Sequence, residues 1–199
     1  LGFLKMRTTL WGPEGVPRLA PPPPPLHALQ ELWLGENQMG PLGATALSDA
    51  LKQTTDLRRL ALGTENLEEA GGMRLAEILP NLTALEQLLL SENCLGPIAT
   101  EAISRAAGSL PSLEELWLCG NGVGSDTSVV VAKNLSSSPS LKNLHYGENS
   151  LGGKGGVSFC KALAPLSTLK TLLLRGNEID AASAASIRSA LRRVKVHGL

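Results

Sequence analysis

Apolar residues recur along this chain in a fixed frame, Leu-x-x-Leu-x-Leu-x-x-Asn. The frame falls on Leu29, Leu32, Leu34 and Asn37, then on Leu57, Leu60 and Leu62 with Glu65 in the Asn place. It continues at Leu85, Leu88, Leu90, Asn93 and at Leu113, Leu116, Leu118, Asn121. Leu141, Leu144, Tyr146, Asn149 and Leu169, Leu172, Leu174, Asn177 complete the series. Each copy begins 28 residues after the last, and a degenerate copy, Leu1, Leu4, Met6 and Thr9, precedes them. Self-similarity at such a period is the signature of a stacked-repeat architecture. The chain therefore divides into seven units, 1–28 (degenerate), 29–56, 57–84, 85–112, 113–140, 141–168 and 169–196, in a single domain of residues 1–199.

The second half of each unit has a different period. Leu47 and Leu51, Leu75 and Leu79, Ile103 and Ala107, Val131 and Leu135, Phe159 and Leu163, and Ile187 and Leu191 are spaced by four, which is one face of a helix. Small residues open this stretch at Gly43, Gly71, Ala99 and Gly155, where strand and helix must approach closely. Each unit thus reads as a short strand, a turn and a helix of roughly three turns. Strands are expected to start near residues 3, 31, 59, 87, 115, 143 and 171. The helix of unit 113–140 should be the least regular, because Val129, Val130 and Val131 are poor helix formers and Ser-Ser-Ser-Pro follows.

The unit with LxxLxLxxN and a helical GxxxLxxxL half resembles the ribonuclease-inhibitor class of leucine-rich repeats. That class also forms the sensor domains of NOD-like receptors and the Ran GTPase-activating protein. The resemblance implies an α/β fold, a right-handed solenoid shaped as a horseshoe, with a parallel sheet on the concave face and helices on the convex face. It implies that Asn37, Asn93, Asn121, Asn149 and Asn177 form a structural ladder at the strand-to-turn bend, bonding backbone groups left unpaired there. Thr9 and Glu65 interrupt this ladder and are expected to mark weaker turns.

In that frame the leucines face the core, so the residue between the second and third leucines points out of the sheet. The outward stripe reads Lys5, Trp33, Ala61, Leu89, Trp117, His145, Leu173. Large apolar groups exposed in one line mark a binding surface, and Trp is enriched among interface hot spots. The alternative is that long neighbours such as Glu115 and Arg59 lie across the rings. Glu31, Arg59 and Glu115 stand one column before the stripe; Glu36, Glu92 and Glu148 stand beyond it. A partner presenting basic residues around an apolar anchor would suit this centre.

Composition narrows the partner. There are 18 basic and 18 acidic side chains, so the net charge is zero and neither nucleic acid nor an anionic membrane is the expected ligand. No apolar run reaches the roughly 18 residues needed to span a bilayer. The three cysteines, Cys94, Cys119 and Cys160, occupy different places in the unit and read as reduced thiols of a cytoplasmic protein. No cysteine or histidine spacing calls for a metal or other cofactor. The opening LGFLKMRTT lacks an initiator Met and starts on a strand, which reads as a piece of a longer protein. The unit 1–28 lacks a polar cap and ends in APPPPPLHAL, so it is expected to fray. At the other end Arg192, Arg193 and Lys195 are expected beside the last helix terminus, where cations favour the dipole.

Catalysis needs converging groups, and His27, His145 and His197 are scattered along the sequence. Gly152–Gly156, with Lys154 among glycines, lacks phosphate-loop spacing and reads as a helix start. The sequence therefore points to a binding scaffold without chemistry of its own, whose partner is a protein. The resemblance carries one alternative, a GTPase activator of the Ran type, with Arg175 beside the ladder Asn177 as its candidate residue.

Overall fold

The computed structural model describes residues 2–5 and 28–199. The proline run and most of the first unit, where fraying is expected, lie outside the described residues. Eight three-residue strands form one parallel sheet in sequence order: β1 Phe3–Lys5, β2 Glu31–Trp33, β3 Arg59–Ala61, β4 Gln87–Leu89, β5 Glu115–Trp117, β6 Asn143–His145, β7 Thr171–Leu173 and β8 Lys195–His197. From β2 onward helices alternate with the strands: α1 Gly40–Leu51, α2 Glu68–Ile78, α3 Gly96–Ser109, α4 Ser125–Leu135, α5 Gly152–Leu163 and α6 Ala181–Ala190. The fold is an α/β leucine-rich-repeat solenoid, with the sheet concave and the helices convex.

Stacking follows from the period. Every strand pairs its neighbour without a register offset, so Leu32, Leu60, Leu88, Leu116, Leu144 and Leu172 form one continuous column. Each is buried, and together with the leucines before and after it this column makes a ribbon of core between sheet and helices. A one-residue slip would turn the whole set out into water, so burial of one face fixes the register. Helices pack on one another through small residues. Gly43, Gly71 and Ala99 are buried as their place at the helix start implies, and the next residue in each unit, Ala44, Gly72, Thr100, Ser128, Gly156 and Ala184, forms a second buried column of small residues. A Cβ on Gly72 would come within 2.7 Å of the Ala99 methyl. At the far end of α3 a Cβ on Gly108 would run into the backbone carbonyl oxygen of Asn134. Close approach, not turn conformation, requires glycine at both places.

Three expectations are corrected. The sheet has eight strands, not seven: β8 begins 24 residues after β7, short of the full period. Val194 and Val196 alternate with Lys195 and His197, a β-branched pattern that suits a strand. Lys195 therefore lies in β8 and not at the helix terminus, where Arg188 is the cation of the last turn. The helix of unit 113–140 is an unbroken 11 residues, whereas α2 gives way to a 3-10 turn at Leu79–Asn81. Burial of Val131, Ala132 and Leu135 overrides the weak propensity of the valines.

Candidate functional site

The ladder sets the edge of the concave face. Asn121 shows the pattern: its Oδ1 accepts from the backbone N–H of Asn93 at 3.1 Å and of Leu95 at 3.4 Å, one unit back. Its Nδ2 donates to the carbonyls of Leu90, Leu118 and Cys119 at 3.0–3.2 Å. Asn93, Asn149 and Asn177 repeat the arrangement, and Asn37 is buried with its Nδ2 donating to Leu34.

Glu65 does not make the weak turn that its sequence position implied. Its buried carboxylate accepts from Asn37 N at 2.8 Å and Met39 N at 3.0 Å, while its own N–H bonds Asn93 Oδ1 at 2.9 Å. A carboxylate reproduces the acceptor half of the rung but brings no N–H for the Leu34 carbonyl. Burial raises the Glu65 carboxyl above its ordinary 4.5, and the two backbone donors offset only part of that. A raised pKa means the folded state favours the protonated group; that contribution is full below the ordinary value and is lost as pH climbs through the raised one. Wild type should therefore lose stability relative to Glu65→Gln as pH rises from about 4 to 7, measured by paired thermal melts. Parallel pH profiles for the two proteins would contradict this.

Above the ladder the stripe lies where the frame puts it. Trp33, Leu89, Trp117, His145 and Leu173 stand side by side along the sheet, flanked by Glu31, Arg59 and Glu115 one column earlier. Their degree of exposure differs from the sequence reading. All five stripe residues are half-buried, and Ala61 is buried at 6% exposure. Among the described residues the large apolar side chains that stand free lie outside the stripe: Leu42 at 73% and Ile98 at 57% on helices, and Phe3 at 54% in the column of Glu31.

The rings are partly satisfied by neighbours. Trp117 stacks on His145 with centroids 4.2 Å apart and planes 14° from parallel. The Trp117 indole N–H donates to Glu115 Oε1 at 2.6 Å, and Gln87 Nε2 donates to Glu115 Oε2 at 3.1 Å. Trp33 Nε1 donates to Glu31 Oε2 at 3.3 Å, and Arg59 holds Glu31 Oε1 at 2.6 Å. Burial pulls the His145 pKa below its ordinary value, against the pull of Glu115 3.8 Å away. A lowered pKa favours the neutral imidazole, which stacks on Trp117 as an aromatic ring. These contacts leave the outer faces of the row to solvent and hold the rings in fixed orientations, as a preorganised surface requires.

The far column is acidic and strained. Glu36, Glu92 and Glu148 are exposed and adopt left-handed φ of 71°, 58° and 56°. Gly120 and Gly176 occupy the equivalent places in other units at φ of 64° and 76°. A non-glycine residue there carries roughly 1 kcal/mol of strain or more. Strand pairing stacks these glutamates along one edge of the sheet, and one column before the stripe Arg59 pairs with Glu31 at 2.6 Å.

The zero net charge conceals how charge is distributed. Residues 141–199 hold nine Lys or Arg against three acids, whereas residues 28–140 hold six against fourteen. In a solenoid, position in sequence is position along the axis, so the molecule has an acidic body and a basic end. Counting charge by unit would have shown this from sequence; the whole-chain total hides it. All three cysteines are free thiols, and burial pushes that of Cys160 up to about 12 and raises that of Cys119. Among the described residues no helix is long and apolar enough to cross a membrane. Compared with known proteins, the chain matches no protein-family model and no curated relative.

Proposed function

We propose that this chain is a non-catalytic recognition scaffold, similar to the ribonuclease-inhibitor class of leucine-rich repeats, that binds a protein partner on its concave face in the cytoplasm. The observation that carries the reading is the oriented aromatic row of Trp33 and the Trp117–His145 stack, set among Glu31, Glu36, Glu92, Glu115 and Glu148. Such a surface suits a partner with basic residues around an apolar anchor. Nucleic acid and membrane do not suit it, because the face itself is acidic. The chain then acts as the sensor or regulatory part of a longer receptor-like protein, and no cofactor enters its action.

A photo-crosslinking residue in place of Asn143, in the same concave column, would test this, with captured proteins identified by mass spectrometry. A defined partner should be captured by the otherwise wild-type protein and by convex-side Leu42→Ala, and lost on Trp33→Ala or Trp117→Ala. Capture that ignores both tryptophans would sink the reading. One observation favours a second reading: the Arg175 side chain is exposed at the end of β7 beside the ladder. Stimulated GTP hydrolysis abolished by Arg175→Ala would establish GTPase activation instead.

A further inference from the structure

The concave row has a gap. The register sets Trp33, Ala61, Leu89 and Trp117 next to one another on β2 to β5, and three of these are large while the second is a methyl. Two positions along from the stripe, Gly35 and Gly63 leave bare backbone. Together they open a cavity of about 140 Å³ lined by Gly35, Ala61, Gly63, Leu89 and Trp117. That is room for roughly five waters, at about 30 Å³ each, or for one unbranched side chain. Glu36 is the one charged residue in the lining.

Packing does not demand the bareness at Gly63. A Cβ there would meet only the Ser91 carbonyl oxygen at 3.5 Å, an ordinary contact, and its φ is not left-handed. A side chain would fit the fold and would fill the notch. Glu36 has the opposite character, holding a left-handed φ of 71° that a glycine would adopt at less cost. The notch is thus open where the fold would tolerate filling, and charged where the backbone would prefer no side chain.

Resting on the reading of the concave face as a docking surface, we infer that this notch receives an arginine side chain of the partner. Its aliphatic stem lies over Ala61 and Leu89, its planar guanidinium meets the Trp117 ring, and Glu36 answers its charge. A guanidinium is planar and weakly hydrated, so it stacks on an aromatic ring more readily than a compact ammonium does. The acidic excess of residues 28–140 favours a cation over a neutral apolar group.

The test uses n-butylguanidinium as the probe and the amide and indole N–H resonances of the ¹⁵N-labelled chain as the readout. Saturable shifts are expected at the Trp117 indole and the Gly35 and Gly63 amides, with the Leu42 amide as an unshifted control. Glu36→Gln, exposed and equal in shape, should weaken the response about two- to five-fold, the scale of an exposed ion pair. Ala61→Leu should remove it by occupying the space. Equal shifts with n-butylurea or n-butylammonium, indifference to Glu36→Gln, or no saturable response would overturn the inference. The broader reading fails separately: crosslinked partners that persist in both Trp33→Ala and Trp117→Ala sink it, whereas their loss alongside a silent notch sinks only the arginine.

Discussion

Asn121→Ala should destabilise the protein by about 2–6 kcal/mol, two buried N–H groups losing their acceptor at roughly 1–3 kcal/mol each. The carbonyls that Asn121 serves are not left bare. Leu90 O also receives Asn93 Nδ2 at 3.0 Å, Leu118 O receives Asn149 Nδ2 at 2.9 Å, and Cys119 O receives Glu92 N at 2.8 Å. The N–H groups of Asn93 and Leu95 have no such second partner among the bonds described. The loss therefore lies on the acceptor side of the rung, which Glu65 shows a carboxylate can supply. Asn121→Asp should accordingly cost less than Asn121→Ala, even though it buries a titratable group. Urea unfolding of the two variants decides the matter, and an aspartate variant as unstable as the alanine one would contradict the assignment. Hydrogen exchange should show the damage concentrated in units 85–112 and 113–140, since a repeat is held by its neighbours.

The ladder also shows what sequence made legible. A strict 28-residue period gave strand positions to the residue from β1 to β7, because a parallel ladder without offset stacks like residues on like. It failed at β8, where the chain returns to the sheet four residues early and the frame no longer applies. At α4 the period held and propensity misled: the valines argued against a regular helix, and core contacts of Val131 and Leu135 decided for one. Glu65 was read by identity, as an interruption. Its geometry makes it an acceptor at the same two N–H groups that an asparagine would serve.

The candidate site was legible in outline and not in detail. Alternation placed Trp33 and Trp117 on the concave face, as the register requires. It could not say that the rings would be half-covered, because that depends on which rotamers Glu31, Glu115 and His145 adopt. The notch at Ala61 was in the stripe all along, but a small residue in a row of large ones reads as a gap only when its neighbours' side chains are in place. Backbone strain at Glu36, Glu92 and Glu148 has no sequence signal except the glycines in the matching places of other units, Gly120 and Gly176.

Neighbouring substitutions on β5 separate folding from binding. Leu116→Ala should cost roughly 2–5 kcal/mol of stability, because a fully buried leucine leaves a cavity when truncated. Trp117→Ala leaves none, and sequence alone would put its cost below about 1 kcal/mol, as for a surface residue. The structure raises that figure. The ring stacks on His145, a pair worth about 0.5–1.5 kcal/mol, and its N–H bonds a carboxylate in a half-exposed setting. Together these put Trp117→Ala at roughly 1–2 kcal/mol. Its effect on partner affinity should be larger than its effect on folding, on the order of 2 kcal/mol or more for a central anchor. Leu116→Ala, tested where it remains folded, should bind nearly as wild type. Thermal melts and partner titrations of the two variants give four numbers, and the reading needs opposite orderings in the two assays. If Trp117→Ala is the more unstable variant, the ring belongs to the core's energetics and not to a docking surface. If it is folded and binds normally, the row of aromatics is satisfied by Glu115 and His145 alone, and the concave-face assignment fails with it.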